Sequence, residues 1–316
     1  MRCDLCEREA ITYIRYNGSH LCAEHFAEYF RKRVKKEVRK EVSLFKGDTI
    51  GVAVSGGKDS MVTLSILHSL FNERNGIRIV CISIDEGIAG YRPPSLEIVK
   101  KYCSENGIEY RERGFSELGL SMDVVAPVSG ESSPCTYCGV FRRKLMNDEA
   151  KKVGAKYLAT GHNLDDIAQS VMMNFVRGDV NRLARLGPHT NIRPGLIPRF
   201  YPLRMIPEKE SLLYAISEGI PFWDGECPYW QAALRNEYRD IVDGLEDRSP
   251  GSKYSIVSSY DQLRPLIVSE SPHDVRFCEC GEPCNGKRCK ACEYEETLKE
   301  RIENKSVRGP RRGHRT

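Results

Sequence analysis

The sequence predicts an α/β protein, a doubly wound parallel sheet flanked by a small cysteine-rich module at each end. Three observations predict it. Short apolar runs alternate with helix-length periodic stretches from residue 49 to 176, the pattern of parallel strands covered by helices on both faces. Two of those runs end in polar turns, SGGKDS at 55–60 and GHNLDD at 161–166, and strand ends are where such sheets bind ligands. Cysteines crowd residues 3–22 and 278–292.

Each element has its own signal. Phe26, Tyr29, Phe30, Val34, Val38, Val42 and Phe45 recur at mostly three- and four-residue spacing, which reads as one helix over 26–45. Strands are expected at 49–54, 78–84, 109–113 and 157–160. Helices are expected at 60–71, 95–106, 139–153 (closed by Gly154) and 165–176. Residues 178–205, rich in Arg, Pro and Gly, read as loop, and 208–247 as helical again with a break near 221–222. The expected division is a finger at 1–26, a catalytic domain at 27–250, a C-terminal segment with a second finger at 251–304, and a disordered basic tail at 305–316.

Composition bounds the function. Of 316 residues, 40% are hydrophobic and 29% charged, which excludes wholesale disorder. No apolar run approaches the roughly 18 residues that span a bilayer, so no membrane association is expected. The start, Met1-Arg2-Cys3-Asp4, has no apolar signal region, so a cytoplasmic protein is expected. The thirteen cysteines therefore read as thiols used for metal rather than as a disulfide framework. The net charge is only +4, yet residues 31–42 alone carry seven basic and two acidic residues, and 305–316 five basic and none acidic. Such clustering suits a polyanion such as nucleic acid.

Five motifs carry chemistry. Ser55, Gly56, Gly57, Lys58, Asp59 and Ser60 join a strand to a helix. Glycines let the backbone approach a ligand, free helix-start amides favour an anion, and Lys58 adds a charge. The spacing is not that of a Walker A loop, which disfavours the generic P-loop kinases and GTPases. Gly161 to Asp166 supplies a second wall at another strand end, and Asp85 closes a third strand on the same rim. Cys135-x2-Cys138, with Cys227 far downstream, suits a dithiol redox pair, a metal, or buried structural thiols; three converging thiols would suit an iron–sulfur cluster with one iron open. Cys3, Cys6, Cys22 and His25 have the knuckle spacing of a structural zinc site. In the last cluster Cys280, Cys289 and Cys292 make three zinc ligands, and the fourth is Cys278 or Cys284. Cys81 and Cys103, in a strand and a helix, read as core residues.

Together these motifs resemble, over almost the whole chain, the tRNA 2-thiouridine synthetases of archaea and eukaryotes, one branch of the PP-loop tRNA-thiolation enzymes. The resemblance rests on the N-terminal finger, SGGKDS, DEGIAGYR at 85–92, CTYCGVFRR at 135–143, GHNLDD, NFVRGD at 174–179, Glu226-Cys227-Pro228 and the C-terminal finger. It implies a PP-loop ATP pyrophosphatase fold and ATP held around Ala53, Ser55, Gly56, Gly57, Lys58, Asp59, Ser60, Asp85, Arg142, Gly161 and Asp166, with Mg²⁺. It implies a [4Fe–4S] cluster on Cys135, Cys138 and Cys227, zinc in both fingers, and a tRNA substrate. The implied reaction adenylates a uridine C2 oxygen, then replaces it with sulfur. Lys58 and Arg142 would stabilise the developing charge, with Asp59 beside them, and Asp166 would orient Mg²⁺ or handle a proton. CTYCGVFRR and NFVRGD look more like the branch that acts on the anticodon wobble uridine than the thymine-loop branch. A persulfide on Cys138 or Cys227 is the rival sulfur route, and a PP-loop ligase or amidotransferase the rival enzyme. The sulfur donor would be sulfide or a thiocarboxylated ubiquitin-like carrier, and a homodimer is one expected assembly. Two departures stand out. In the C-terminal finger Phe277 occupies the position of the family's usual first cysteine, with Cys278 beside it, and Cys284 replaces a residue that is commonly Thr; and Arg142 stands where some members of the thymine-loop branch have Lys.

Overall fold

A computed structural model describes residues 1–71, 76–187, 194–230, 235–268, 276–284 and 286–307. The chain opens with a hairpin, β1 (Thr12–Ile14) and β2 (Ser19–Leu21), followed by helix α1 (Ala23–Glu41). The central sheet follows as β3 (Thr49–Ala53), α2 (Lys58–Leu70), β4 (Arg78–Asp85), α3 (Arg92–Glu105) and β5 (Glu109–Gly114). After the short helix α4 (Met122–Val125) come α5 (Pro134–Lys152), β6 (Tyr157–Thr160), α6 (Leu164–Val176), α7 (Val180–Ala184) and β7 (Arg199–Phe200). Helices α8 (Glu208–Ser217), α9 (Arg235–Arg248) and α10 (Ser252–Val268) lead to a second hairpin, β8 (Arg276–Phe277) and β9 (Pro283–Cys284), and to α11 (Lys290–Val307).

The five central strands are all parallel, in the order β5-β4-β3-β6-β7. Alternate residues face opposite sides, because successive strand side chains point apart. Ile50, Val52, Ile79 and Cys81 pack with Phe26, Met61 and Val99 on one face. Val80, Ile82, Ile84 and Leu158 pack with Phe141, Leu145 and Leu298 on the other. Cys81 and Cys103 are both buried in the first of these layers. The chain progresses outward from β3 through β4 to β5, then returns to the other side of β3 as β6. The reversal between β3 and β6 is the point where such sheets leave a ligand crevice at the strand ends.

Several expected boundaries move. Helix α1 ends at Glu41, so Val42 and Phe45 lie past it and Phe45 is exposed; the Phe45 amide instead donates to Asp48 Oδ2 at 2.8 Å, closing a turn. Helix α5 begins five residues before the expected Gly139, at Pro134. Ser133 caps it by accepting from the Cys135 amide, and Pro134 fits the first helical position. The stretch 178–205 is not all loop, since it holds α7 and the edge strand β7. Helix α10 packs on α6 and α9, with Val242, Val257 and Tyr260 in one cluster with Ile167 and Ala168; a cut at residue 250 therefore passes through one packed unit. Within the basic tail, 305–307 belong to α11, and 308–316 lie outside the described residues. No helix among the described residues is long and apolar enough to cross a membrane.

Candidate active site

The crevice is walled by the turns after β3 and β6. Gly56 takes φ +86, a left-handed conformation, and a Cβ there would lie 2.6 Å from the Ser95 carbonyl oxygen. Gly161 brings the second wall against the first: a Cβ on it would sit 2.8 Å from the Ser60 amide nitrogen. Both positions need glycine, the first for backbone and the second for space. The turn is tied internally, with the Ser55 amide donating to Ser60 Oγ (3.1 Å) and Ser60 Oγ donating to the Gly57 carbonyl (2.8 Å). Helix α2 starts at Lys58 with no side-chain cap, so its first amides face the crevice end uncapped, which suits a phosphate. Ala53 is the last residue of β3.

Lys58 Nζ is held between Asp59 Oδ2 (2.9 Å) and Glu208 Oε1 (2.7 Å). Burial works to lower its pKa, but these two carboxylates hold it above the ordinary value. Burial pushes the Asp59 carboxyl above its usual range, against the pull of Lys58. Asp59 Oδ1 is buried with no close hydrogen-bond partner among the described residues, although the Ser211 hydroxyl is near enough to favour its charged form; a carboxylate so placed fits a cation in the crevice. Asp85 accepts from the Gly87 amide at 2.8 Å, which fixes the turn after β4.

Of the GHNLDD acids, Asp166 completes a capping box with Asn163, each side chain accepting from the other's amide (3.1 and 2.9 Å), and lies close enough to Asp59 to repel it. Asp165 is the more deeply anchored. It is buried, pairs with the buried Lys253 Nζ, and accepts from the Glu208 amide at 2.8 Å. Lys253 thus steadies Asp165, Asp165 the start of α8, and Glu208 of α8 the loop lysine. Sequence reasoning missed Lys253, Glu208 and the role of Asp165.

The cysteines enter from two directions. Cys135 and Cys138 sit on the first turn of α5. Cys227 arrives on a segment tied to the loop by the Trp223 amide, which donates to the Gly56 carbonyl at 2.8 Å. Cys135 Sγ lies 3.7 Å from the Tyr229 carbonyl oxygen. Burial pushes the Cys138 thiol up to about 12 and raises Cys227, and the two thiols, Cys135, Arg142 and Glu86 sense one another's charge. Glu86 is buried between two guanidinium groups, Arg92 (2.8 Å) and Arg142 (3.5 Å). Arg92 also donates to the Ser55 and Ile84 carbonyls, so it clamps the loop that Gly56 shapes. Glu86 and Arg92 lie in the quoted DEGIAGYR stretch, where an acid and an arginine six residues apart were the available signal.

Two further cysteine sets lie outside the crevice. The ligand atoms of Cys3, Cys6, Cys22 and His25 all lie within 4.8 Å of one another, as do those of Cys278, Cys280, Cys289 and Cys292. Sulfur–sulfur distances are 3.7 Å for Cys6–Cys22 and Cys278–Cys292, and 3.6 Å for Cys280–Cys289. A tetrahedron with zinc–sulfur bonds of about 2.3 Å has edges of about 3.8 Å, so both sets have the dimensions of a single bound metal ion. Cys284 stands apart, its Sγ 3.2 Å from the Gly286 carbonyl, so Cys278 is the fourth member of the second set.

With this geometry in place, comparison with known proteins is decisive. The PP-loop domain family matches residues 26–243, and the N-terminal LIM domain of the 2-thiouridine synthetase TtuA matches residues 2–27. The chain is 36% identical over 318 residues to the tRNA 2-thiolation protein NcsA of Haloferax volcanii, covering 94% of this chain and 99% of that one. It is 40% identical over 254 residues to the cytoplasmic tRNA 2-thiolation protein 1 of Drosophila melanogaster, covering 78% of this chain and 73% of the relative. Among solved structures, the U34-tRNA thiolase NcsA from Methanococcus maripaludis with its [4Fe–4S] cluster superposes with a TM-score of 0.81 at 35% identity, covering 94% of this chain and 96% of that one. The likeness runs along nearly the full chain, which belongs to the PP-loop family of tRNA 2-thiolation enzymes.

Proposed function

We propose that this chain replaces the C2 oxygen of the anticodon wobble uridine of tRNA with sulfur, at the expense of ATP. One observation supports the reading: the Trp223 amide donates to the Gly56 carbonyl, which ties the segment leading to Cys227 to the SGGKDS loop, and Cys227, Cys138 and Cys135 are near enough to feel one another's charge. The wobble position is favoured by CTYCGVFRR, NFVRGD and the likeness to a U34 thiolase.

In this reading the α2 amides, Ser55 and Ser60 receive the ATP phosphates, and Asp59, whose Oδ1 has no close hydrogen-bond partner among the described residues, would help hold the Mg²⁺ that accompanies them. The uridine leaves its stack to enter the crevice. Its C2 oxygen attacks the α-phosphorus, pyrophosphate departs, and Lys58 and Arg142 stabilise the charge that develops on the phosphates. Sulfide then adds at C2 and AMP leaves with the former C2 oxygen. Asp166, on the second wall, steadies the metal or takes a proton. Cys135, Cys138 and Cys227 would hold a [4Fe–4S] cluster by three ligands, and such a group would supply a metal site able to keep hydrosulfide nucleophilic at neutral pH. Their thiols are not drawn within 4.8 Å of one another as the finger ligands are, which accommodates a group larger than one ion. Zinc suits both fingers by ligand type and by the sulfur spacing. The sulfur comes from sulfide or a thiocarboxylated carrier, and the work is done in the cytoplasm, where tRNA is the polyanion for the basic face of α1.

The test is mass spectrometry of tRNA incubated with the purified protein, ATP and sulfide without oxygen. A gain of sulfur at the wobble uridine, with AMP and pyrophosphate released in step, is expected. Sulfur in the thymine loop would move the reaction to the other branch, and AMP release without sulfur gain would make the chain a ligase.

A further inference from the structure

Four arginines gather beside the crevice, and two of them make no ion pair among the described residues. Arg142 and Arg143 follow Cys138 by about one turn of α5, Arg199 lies on β7 and Arg182 on α7. Arg199 Nη2 donates to the Arg143 carbonyl at 3.3 Å, which seats the β7 side chain against α5. Arg142 is paired with Glu86 and Arg182 with Asp179 (3.0 Å). Among the described residues, Arg143 and Arg199 make no ion pair. Burial and the neighbouring Arg199, Arg142 and Arg182 push the Arg143 guanidinium down to about 10, and burial lowers Arg199. Arg143 thus stays charged at neutral pH and so does Arg199, since a guanidinium holds its proton far above that range.

Crowding like charges costs free energy, and among the described residues only the more distant Tyr201 and Glu282 beside Arg199 and Cys138 beside Arg143 act against it. A polyanion offsets it, and the arginine fork matches two phosphate oxygens at once. Phe175, Val176 and Val180, at the end of α6 and the start of α7, are exposed within two turns of Arg182. Aromatic surface beside cations suits a single nucleic-acid strand better than an acidic protein. A uridine splayed into the crevice also leaves its flanking phosphates at the rim, where these arginines stand.

We propose that Arg143 and Arg199 together grip backbone phosphates of the RNA strand beside the target uridine. This rests on the tRNA-thiolation reading above. ATP carries the same chemistry, but its phosphates have a separate cradle at the start of α2.

The test is the affinity of the full chain for tRNA and for ATP across salt concentrations. For R143A/R199A, tRNA affinity is expected to fall about tenfold at about 150 mM salt, and the salt slope to fall by about 1.4, two contacts at about 0.7 each. ATP affinity and the melting temperature should hold, because repulsion is removed. R143K/R199K should recover the slope but not all the affinity, since lysine lacks the fork. Unchanged tRNA binding by the folded double variant overturns the proposal. So does a parallel loss of ATP affinity, which would assign the pair to the nucleotide, or an equal loss in K101A/R111A, which removes two exposed charges elsewhere. If the native chain binds no tRNA at all, the proposed function falls with it; variants that bind tRNA like the native chain overturn the phosphate grip alone.

Discussion

In each finger four ligand atoms converge within 4.8 Å, whereas Cys135, Cys138 and Cys227 stand more widely around a crevice shared with Arg142, Glu86 and the anion loop. The fingers are closed sets: every sulfur faces another ligand, and the surroundings are hairpin and helix start. Among the crevice thiols burial raises Cys138, to about 12, and Cys227, while Cys135 is exposed. A closed tetrahedral set is how proteins use metal as a staple, and an incomplete one is how they keep a position open for chemistry. In the proposed function the same residue type would therefore do two jobs, told apart by spacing and by the charges nearby.

The sharpest break in this contrast is a serine on each side. Cys138→Ser or Cys227→Ser should abolish thiolation while moving the melting temperature by no more than about 2 °C. Cys22→Ser or Cys289→Ser should release one zinc and cost several kcal/mol, because metal binding in such modules is folding energy. Metal analysis, melting and tRNA thiolation read both; a crevice variant that unfolds would erase the distinction. Next, the crevice wall is stapled by an ion pair where the fingers use metal. Lys253→Met leaves Asp165 buried and uncompensated, so a loss of about 3–5 kcal/mol is expected in denaturant titration, largely recovered by Asp165→Asn in the same chain. A smaller effect attends Glu86→Gln. Arg142 keeps its charge but loses its carboxylate, and kcat should drop about tenfold, roughly 1.4 kcal/mol of barrier, with metal content unchanged. The smallest effect sharpens the fingers themselves. Cys284→Ser should keep two zinc ions and shift melting by less than about 2 °C, whereas Cys278→Ser should keep one.

The order of strands and helices was legible because buried parallel strands are continuous apolar runs and their covering helices are periodic. What escaped was short or conditional. β7 is two residues long, too short to show alternation. The start of α5 was hidden because Cys135-x2-Cys138 looks like a metal loop, although Ser133-Pro134 is a helix-start signal. At the site, Lys58, Asp59 and the glycines could be placed because their neighbours in sequence are their neighbours in space. Lys253 could not, since its partner Asp165 lies 88 residues away and nothing local marks a lysine for burial. Glu86 and Arg92 were quoted only within a motif, because a buried acid declares itself through partners that folding supplies.

Helix α11 grows directly from the second finger and packs on α5. Tyr294 meets Tyr137 edge-on at 4.7 Å, Arg301 reaches the Ser129 carbonyl and the Tyr137 hydroxyl, and Glu282 accepts from Asn147 at 2.7 Å. Tyr137 stands between Cys135 and Cys138 on the same turn. The second finger is thereby braced against the turn that carries Cys135 and Cys138; in the proposed function, loss of metal from that finger would loosen the crevice thiols and stop sulfur transfer even with iron in supply.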